Sequence, residues 1–375
     1  MLCDGRTDAD GPKIDAEGLG MTLLSLIVPV YRVEEYLERC LDSIFAQAYT
    51  GRVAGELEVI AVDDASDDGS AKILAWYADR HPQLRVVSLD RNGGLGAARN
   101  VGIGRATGRY LWCVDSDDWL PDGTLAAVAD RLLATAPDLL VTGYSRVYPD
   151  GRAEPHRVTA AGADLPDTFT FVEQPGLLDV LWIACNKVIR REFLAGTGLR
   201  FGPGWYEDVA FVVPVMLAAE RISLLDRDCY AYRQRAAGAI TQTVSDRHFE
   251  VFDQWRRVFE FMDGRPGEYD PLRVLIFQRM IWHCFQVLGH RSRVPSARRR
   301  EFFATLTRQY HRYLPPGGCP APPGNDGVKQ RLVAVGAYRL FETLMTAWQV
   351  GGGLARIGRR PPAATPVGQV PARVR

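Results

Sequence analysis

No apolar run in the 375 residues approaches the roughly 20 residues needed to cross a bilayer. The best run, Leu23 to Val30, is short and contains Pro29. Acidic residues (Asp4, Asp8, Asp10, Asp15, Glu17) dominate ahead of it, where a signal peptide needs bases, so no leader is expected. Cysteine is scarce: seven residues, scattered, with no Cys-x-x-Cys. That excludes a disulfide framework and a structural zinc, and it points to a reduced, cytoplasmic compartment. Net charge is also missing, with 45 bases against 45 acids. No basic motif interleaved with aromatics is present, so nucleic acid is not an expected partner. No internal repeat occurs. The 47% hydrophobic and 24% charged residues are those of a globular chain.

The charge balance hides an asymmetry. Acids exceed bases over residues 1–245, and bases exceed acids over 246–375. The basic back half, with its Arg298-Arg299-Arg300 run, suits a peripheral membrane surface, an anionic polymer or another subunit, as in a homodimer. A solvated helix surface accounts for it equally well.

Residues 1–20 are rich in Gly and Asp without an apolar period and read as a disordered tail; Met21 is a second candidate start. Buried strands are expected at 23–30, 57–62, 84–89 and 110–114. Helices are expected between them. Val33, Tyr36, Leu37, Cys40, Leu41, Ile44 and Phe45 form an apolar stripe of helical period, and another helix lies around 95–106. Such alternation predicts an α/β fold with a doubly wound, mostly parallel sheet. Shorter elements follow to about 240. From about 245 the spacing turns helical, with Phe249, Phe252, Trp255, Val258, Phe259 and Met262, and a last helix is expected at about 328–348. The organisation read from this is a tail at 1–20, an α/β domain at 21–240, a helical unit at 241–350 and a disordered Pro/Gly/Arg tail at 351–375.

In doubly wound sheets ligands bind beyond the carboxyl ends of the strands. Two acidic clusters fall there. Asp115-x-Asp117, after the fourth strand, sets two carboxylates at a crevice where they repel unless a cation intervenes. Hard oxygen ligands suit Mg²⁺ or Mn²⁺ held together with substrate phosphates. Solvated loop acids are the plainer alternative, and Asp118 suits a cap. Asp63 and Asp64 end the second strand, where a carboxylate can accept hydrogen bonds from a nucleobase or ribose. For Asp67, Asp68 and Ser70 a turn and helix cap is the preferred reading. Trp205-Tyr206-Glu207-Asp208 precedes an apolar helix. The acidic pair suits a helix cap or a general base, and the aromatics suit an acceptor-stacking wall. Arg99, Lys187, Arg233 and Arg235 are candidates to neutralise a diphosphate.

These pieces also occur in a known order. Ser-Leu-Ile-Val-Pro-Val-Tyr at 25–31, Val-Asp-Asp-Ala-Ser-Asp-Asp-Gly-Ser at 62–70, Asn-Gly-Gly-Leu-Gly-Ala-Ala-Arg-Asn at 92–100, Val-Asp-Ser-Asp-Asp at 114–118, Asn-Lys at 186–187 and Tyr-Glu-Asp at 206–208 resemble family 2 glycosyltransferases of the GT-A fold. Tyr-Arg-Gln-Arg at 232–235, Phe252-Asp253-Gln254 and Asp263-Gly264-Arg265-Pro266 are similar to the glycosyltransferase portion of actinobacterial proteins that also carry a glycerophosphotransferase domain.

The resemblance implies inverting, metal-dependent transfer from a nucleoside-diphosphate sugar, a UDP-sugar first, to an acceptor hydroxyl. It implies that Pro29 and Tyr31 line the nucleobase pocket and that Asp63 and Asp64 serve the base. Asp115 and Ser116 would then lie at the nucleotide, and Asp117, with Asp115, would hold Mg²⁺ or Mn²⁺. Asp208 would be the catalytic base. Arg99 and Lys187 would lie near the nucleotide, Arg233 and Arg235 near the diphosphate, and Trp205, Tyr206 and Glu207 at the acceptor. Some family members carry His within the segment that is Arg-Gln-Arg here. A phosphatase built on Asp115-x-Asp117 is the alternative enzyme, but it leaves Asp63-Asp64 and Arg99-Asn100 without roles. A dinucleotide site fits worse, because no Gly-x-Gly-x-x-Gly follows the first strand. A non-catalytic sugar-nucleotide binder would not need Asp208.

Overall fold

The computed structural model describes residues 22–48, 56–158, 165–179, 182–235 and 242–355. The expected tail at 1–20 lies outside them, as does most of that at 351–375. The first half alternates as the apolar runs predict: β1 (Leu24–Val30), α1 (Glu34–Ala48), β2 (Leu57–Asp63), α2 (Ser70–Ala78), β3 (Leu84–Ser88), α3 (Leu95–Arg105) and β4 (Tyr110–Cys113). Every residue of β1 and β4 is buried, which is why both read as unbroken apolar runs. Glycine lets α3 approach the sheet, since a Cβ on Gly102 would collide with Ile27 of β1.

The chain continues through α4 (Thr124–Thr135), β5 (Leu139–Val147), β6 (Ala153–His156), β7 (Lys187–Arg190), α5 (Arg191–Thr197), α6 (Glu207–Ala218) and β8 (Ile222–Arg233). The sheet runs β3-β2-β1-β4-β7-β5-β6, with β8 also pairing with β5. β1 to β4 pair in parallel, whereas β7 is antiparallel to both β4 and β5. Strand order reverses between β1 and β4, and that opens a crevice at the carboxyl ends of β1, β2 and β4.

Helices follow: α7 (Glu250–Asp263), α8 (Arg273–Gly289), α9 (Arg299–Tyr313), α10 (Gly324–Ala334) and α11 (Tyr338–Ala355). The single last helix expected at 328–348 is two helices here, because Gly336 takes a left-handed φ of 70° between them. Helix α6 is apolar on nearly all sides. One hydrophobic cluster runs from Ile27 and Leu111 on the sheet through Val212 and Met216 of α6 to Trp255, Phe259 and Phe277 of the helical unit.

Candidate active site

Asp64 sets the first part of the site. Its Oδ1 accepts the Gly93 N–H at 2.7 Å and its Oδ2 accepts the Gly94 N–H at 2.8 Å. Gly94 has φ 87°, a conformation that only glycine takes without strain. The carboxylate at the end of β2 thus holds the turn that starts α3. Asn100 of that helix exchanges two hydrogen bonds with the Phe201 backbone, at 2.8 and 3.0 Å, and so ties α3 to the segment ahead of α6.

Between these anchors lies Arg99, whose side chain is 1% exposed. Its guanidinium collects three carboxylates: Asp115 Oδ1 at 2.7 Å, Glu207 Oε1 at 3.1 Å and Asp208 Oδ1 at 2.5 Å. Asp208 Oδ2 also accepts the Ala184 N–H at 3.2 Å. The sequence-predicted acids after β4 and at the head of α6 therefore meet on one cation. Three carboxylates thus crowd around one guanidinium. Burial, then repulsion from Asp208, pushes the Glu207 carboxyl up to about 7 against the pull of Arg99. Burial raises Asp208 too, with Arg99 opposing and Asp115 adding repulsion. Of the acidic pair, Asp208 is the more open, its side chain 18% exposed against 7% for Glu207.

The turn after β4 is braced from β8. Tyr230 Oη accepts the Asp115 N–H at 3.0 Å and donates to Asp118 Oδ2 at 2.7 Å. Asp118 Oδ1 accepts the Arg233 N–H at 2.7 Å. Asp118 is fully buried and ties the turn to β8 instead of capping the following helix, whose N-cap is Gly123. Asp117 points the other way, and its Oδ2 pairs with Arg235 at 2.6 Å. Burial raises its pKa against the pull of Arg235, and Asp115 adds to the rise. Ser116 is buried between them.

Sequence reasoning missed an aromatic and cationic stack beside Asp117. Arg39 lies 3.5 Å over the Trp119 ring, and Arg233 faces Trp119 at 4.8 Å and Tyr36 at 4.9 Å. Arg235 lies 4.5 Å from the Tyr36 ring centre. The available signal was Tyr36 and Arg39, three residues apart on α1, although Tyr36 reads simply as part of the apolar stripe.

A divalent cation fits this donor set in one way. Among the described residues no cluster of three or more His, Cys, Asp or Glu forms a ready cage. Asp115 and Asp117 are hard oxygen ligands in a crowded anionic turn, which is the pattern of an ion held by two carboxylates plus substrate phosphates.

The remaining expected residues are placed as follows. Pro29 is buried in β1, while Tyr31 just past it is 39% exposed beside Arg32. Asp63 Oδ1 accepts the Ser66 N–H at 3.0 Å, closing a turn. Asp67 pairs with Arg32. Asp68 accepts the Ser70 and Glu34 N–H groups, and Ser70 Oγ accepts that of Val33, so these residues cap α1 and α2. Lys187 is buried, 1% exposed, with Nζ donating to Asn186 Oδ1 at 2.6 Å and Asp208 near enough to act on its charge. Glu207 is turned onto Arg99. Tyr206 points its hydroxyl toward the helical unit, where it meets His248 Nδ1 at 2.6 Å. Trp205 is half-buried, with Arg247 stacked on it at 4.8 Å.

The family model Glycosyl transferase family 2 matches residues 25–195. The uncharacterized glycosyltransferase EpsJ of Bacillus subtilis is 30% identical over 220 residues, which cover 56% of this chain and 61% of EpsJ. The poly(ribitol-phosphate) beta-N-acetylglucosaminyltransferase TarS of Staphylococcus aureus is 29% identical over 221 residues, 58% of this chain and 36% of TarS. The chain thus spans less than two thirds of the length of either. The crystal structure of TarS 1–349 in complex with UDP-GlcNAc has the same fold, with a TM-score of 0.66 at 21% identity over 88% of this chain and 92% of that one. Residues 25–195 thus match the model of family 2 glycosyltransferases, and the chain shares the GT-A-like fold of the TarS structure.

Proposed function

We infer that the chain catalyses inverting, divalent-metal-dependent transfer of a sugar from a nucleoside-diphosphate sugar to an acceptor hydroxyl. The observation that carries this reading is the sharing of Arg99 by Asp115 and Asp208. It sets the donor-side acids and the more open acid at the head of α6 next to each other.

In this reading Asp208 takes the proton of the acceptor hydroxyl as its oxygen attacks the anomeric carbon from the side opposite the diphosphate, a single displacement. Arg99 fixes one oxygen of Asp208 and the Ala184 N–H fixes the other, so the carboxylate is oriented before the acceptor arrives. Asp117 and Asp115 would hold a divalent ion, which would supply positive charge for the departing diphosphate. Arg233 and Arg235 add positive charge on that side, and Arg39, through the shared aromatic rings, belongs to the same basic wall. Tyr31 offers an exposed ring to a nucleobase over the Pro29 strand end. Asp63 and Asp64 shape the same rim, Asp64 by holding the Gly93-Gly94 turn. Trp205 faces the acceptor.

The finer reading takes UDP as the nucleotide and a hydroxyl of a phosphate-containing cell-wall polymer as the acceptor. Support comes from TarS and from the minor teichoic acid biosynthesis protein GgaB of Bacillus subtilis, which is 28% identical over 57% of this chain. It is also consistent with the resemblance to the actinobacterial bifunctional proteins. Residues 21–240 would be the catalytic domain and 241–350 an appended helical unit, working in the cytoplasm at the inner membrane face, where such donors are made. No helix among the described residues is long and apolar enough to cross a membrane. The test is a panel of sugar nucleotides with Mn²⁺ or Mg²⁺, read as nucleoside-diphosphate release. Release from none of them, with no protection against unfolding by any, refutes the reading.

A further inference from the structure

The head of α6 lacks the local device that usually fixes a helix start. Tyr206 occupies the N-cap position, its carbonyl accepting the Val209 N–H at 3.0 Å, yet no side chain caps the helix there. Tyr206 also has φ 64°, a left-handed conformation that a bulky residue adopts only when its surroundings impose it. The two residues that follow are Glu207 and Asp208.

The surroundings that impose it come from the helical unit. His248 lies on the 3-10 turn Asp246–Phe249 that leads into α7, and it is fully buried. Its Nε2 faces the Thr243 carbonyl at 2.7 Å, and a carbonyl can only accept, so Nε2 carries the hydrogen. Burial disfavours a second proton, which leaves Nδ1 as an acceptor for the Tyr206 hydroxyl at 2.6 Å. The next turns of α7 hold the backbone on the other side of Tyr206. Glu250 Oε2 accepts the Trp205 N–H at 2.5 Å, and Gln254 Nε2 donates to the Pro203 carbonyl at 3.0 Å. Gly204, with φ 99°, fits because a Cβ there would meet Glu250 Oε2 at 2.8 Å. Three of the four residues 203–206, namely Pro203, Trp205 and Tyr206, are thus fastened to α7 and the turn that leads into it.

We propose that His248, assisted by Glu250 and Gln254, is a positioning residue for the reaction: it holds Tyr206 in its left-handed form and so aims Asp208 at the crevice. The proposal rests on Asp208 being the base, and it makes the helical unit part of the catalytic apparatus. It also assigns Tyr206 a task other than acceptor stacking, since its hydroxyl is engaged on the far side.

Hydrogen exchange and kinetics on the full chain test this together. In His248→Ala and in Gln254→Ala, the amides of 204–209 should exchange at least about tenfold faster than in wild type, with those of α1 unchanged. On whichever UDP-sugar the wild type cleaves, kcat should fall about 10- to 10²-fold with the donor KM unchanged. His248→Asn places an amide oxygen near the position of Nδ1 and should recover much of both. His311→Ala, on the remote face of α9, should alter neither. Unchanged exchange at 204–209 overturns the proposal. So does faster exchange spread over the whole chain, or a loss in which Asn is no better than Ala, because either marks a structural role only. If the wild type cleaves no UDP-sugar, the functional reading fails, and the exchange experiment still decides whether His248 fastens the segment.

Discussion

One nitrogen of Arg99 lies 2.5 Å from Asp208 Oδ1, although 109 positions separate the two residues in the chain. The same guanidinium holds Asp115. It is therefore the joint between the donor side and the base, not merely a group near the nucleotide. Replacing it by methionine would strand three carboxylates without their counter-charge, and we expect a loss of about 3–5 kcal/mol in denaturant unfolding. Arg99→Lys keeps the charge but not the fork that reaches several oxygens at once. It should fold, lose less stability than Arg99→Met, and still lose most turnover. A fully active Arg99→Lys enzyme would show that the fork geometry is unimportant.

Asp208→Asn should reduce turnover roughly 10²-fold or more while leaving donor binding near wild type. Glu207→Gln should affect stability more than the chemical step, because both acids pair with Arg99 but Glu207 is the more buried of the two. Initial rates and donor titrations on the two variants separate the roles. Equal turnover losses in both would contradict the assignment of Asp208 as the single base.

Asp117→Ala should abolish the Mn²⁺ dependence of UDP binding, since Asp117 lies opposite Arg235 in the turn where a cation is expected. Calorimetric titration of UDP with and without Mn²⁺ provides the measurement. Chelation of the wild type with EDTA should reproduce the variant. Undiminished metal-dependent binding in Asp117→Ala would move the ion elsewhere.

Lys187 offers a prediction on pH. Burial pushes its ammonium down to about 7, with Cys185 and Asp208 pulling it partly back. An unfolded lysine keeps its proton to about 10.4. Below 7 both states hold the proton. Between about 7 and 10.4 the unfolded chain holds more protons, so this group makes folding stability rise with pH across that window. The slope approaches about 1.4 kcal/mol per pH unit. Lys187→Met should remove that contribution, so the stability difference between variant and wild type should shift in favour of wild type from pH 7 to pH 9.5. A difference that does not change with pH would mean the buried amine stays charged.

Much of the architecture was legible in the sequence because the cause was local. β1, β2 and β4 are buried on both faces, and the apolar runs around Ile27, Ile60 and Trp112 can be read without any partner in view. The acids at strand ends followed from topology in the same way. What was not legible depends on contacts between distant segments. Nothing near Asp64 announces that both its oxygens are taken by Gly93 and Gly94, and nothing near Lys187 shows that its ammonium turns in to Asn186. The break between α10 and α11 rests on one backbone angle at Gly336. Tyr36 and Arg39 look like ordinary helix positions until Trp119 and Arg233 arrive beside them. His248 carries no motif at all, and only its hydrogen bond to Tyr206 marks it.

The unbroken apolar packing from the sheet through α6 into α7 and α8 has a practical consequence for protein engineering. Grafting the helical segment of one relative onto the catalytic segment of another would pair faces shaped for different neighbours. A working chimera would have to carry the outer side chains of α6 along with its new C-terminal half, which places the useful crossover point ahead of Pro203 rather than after Arg233.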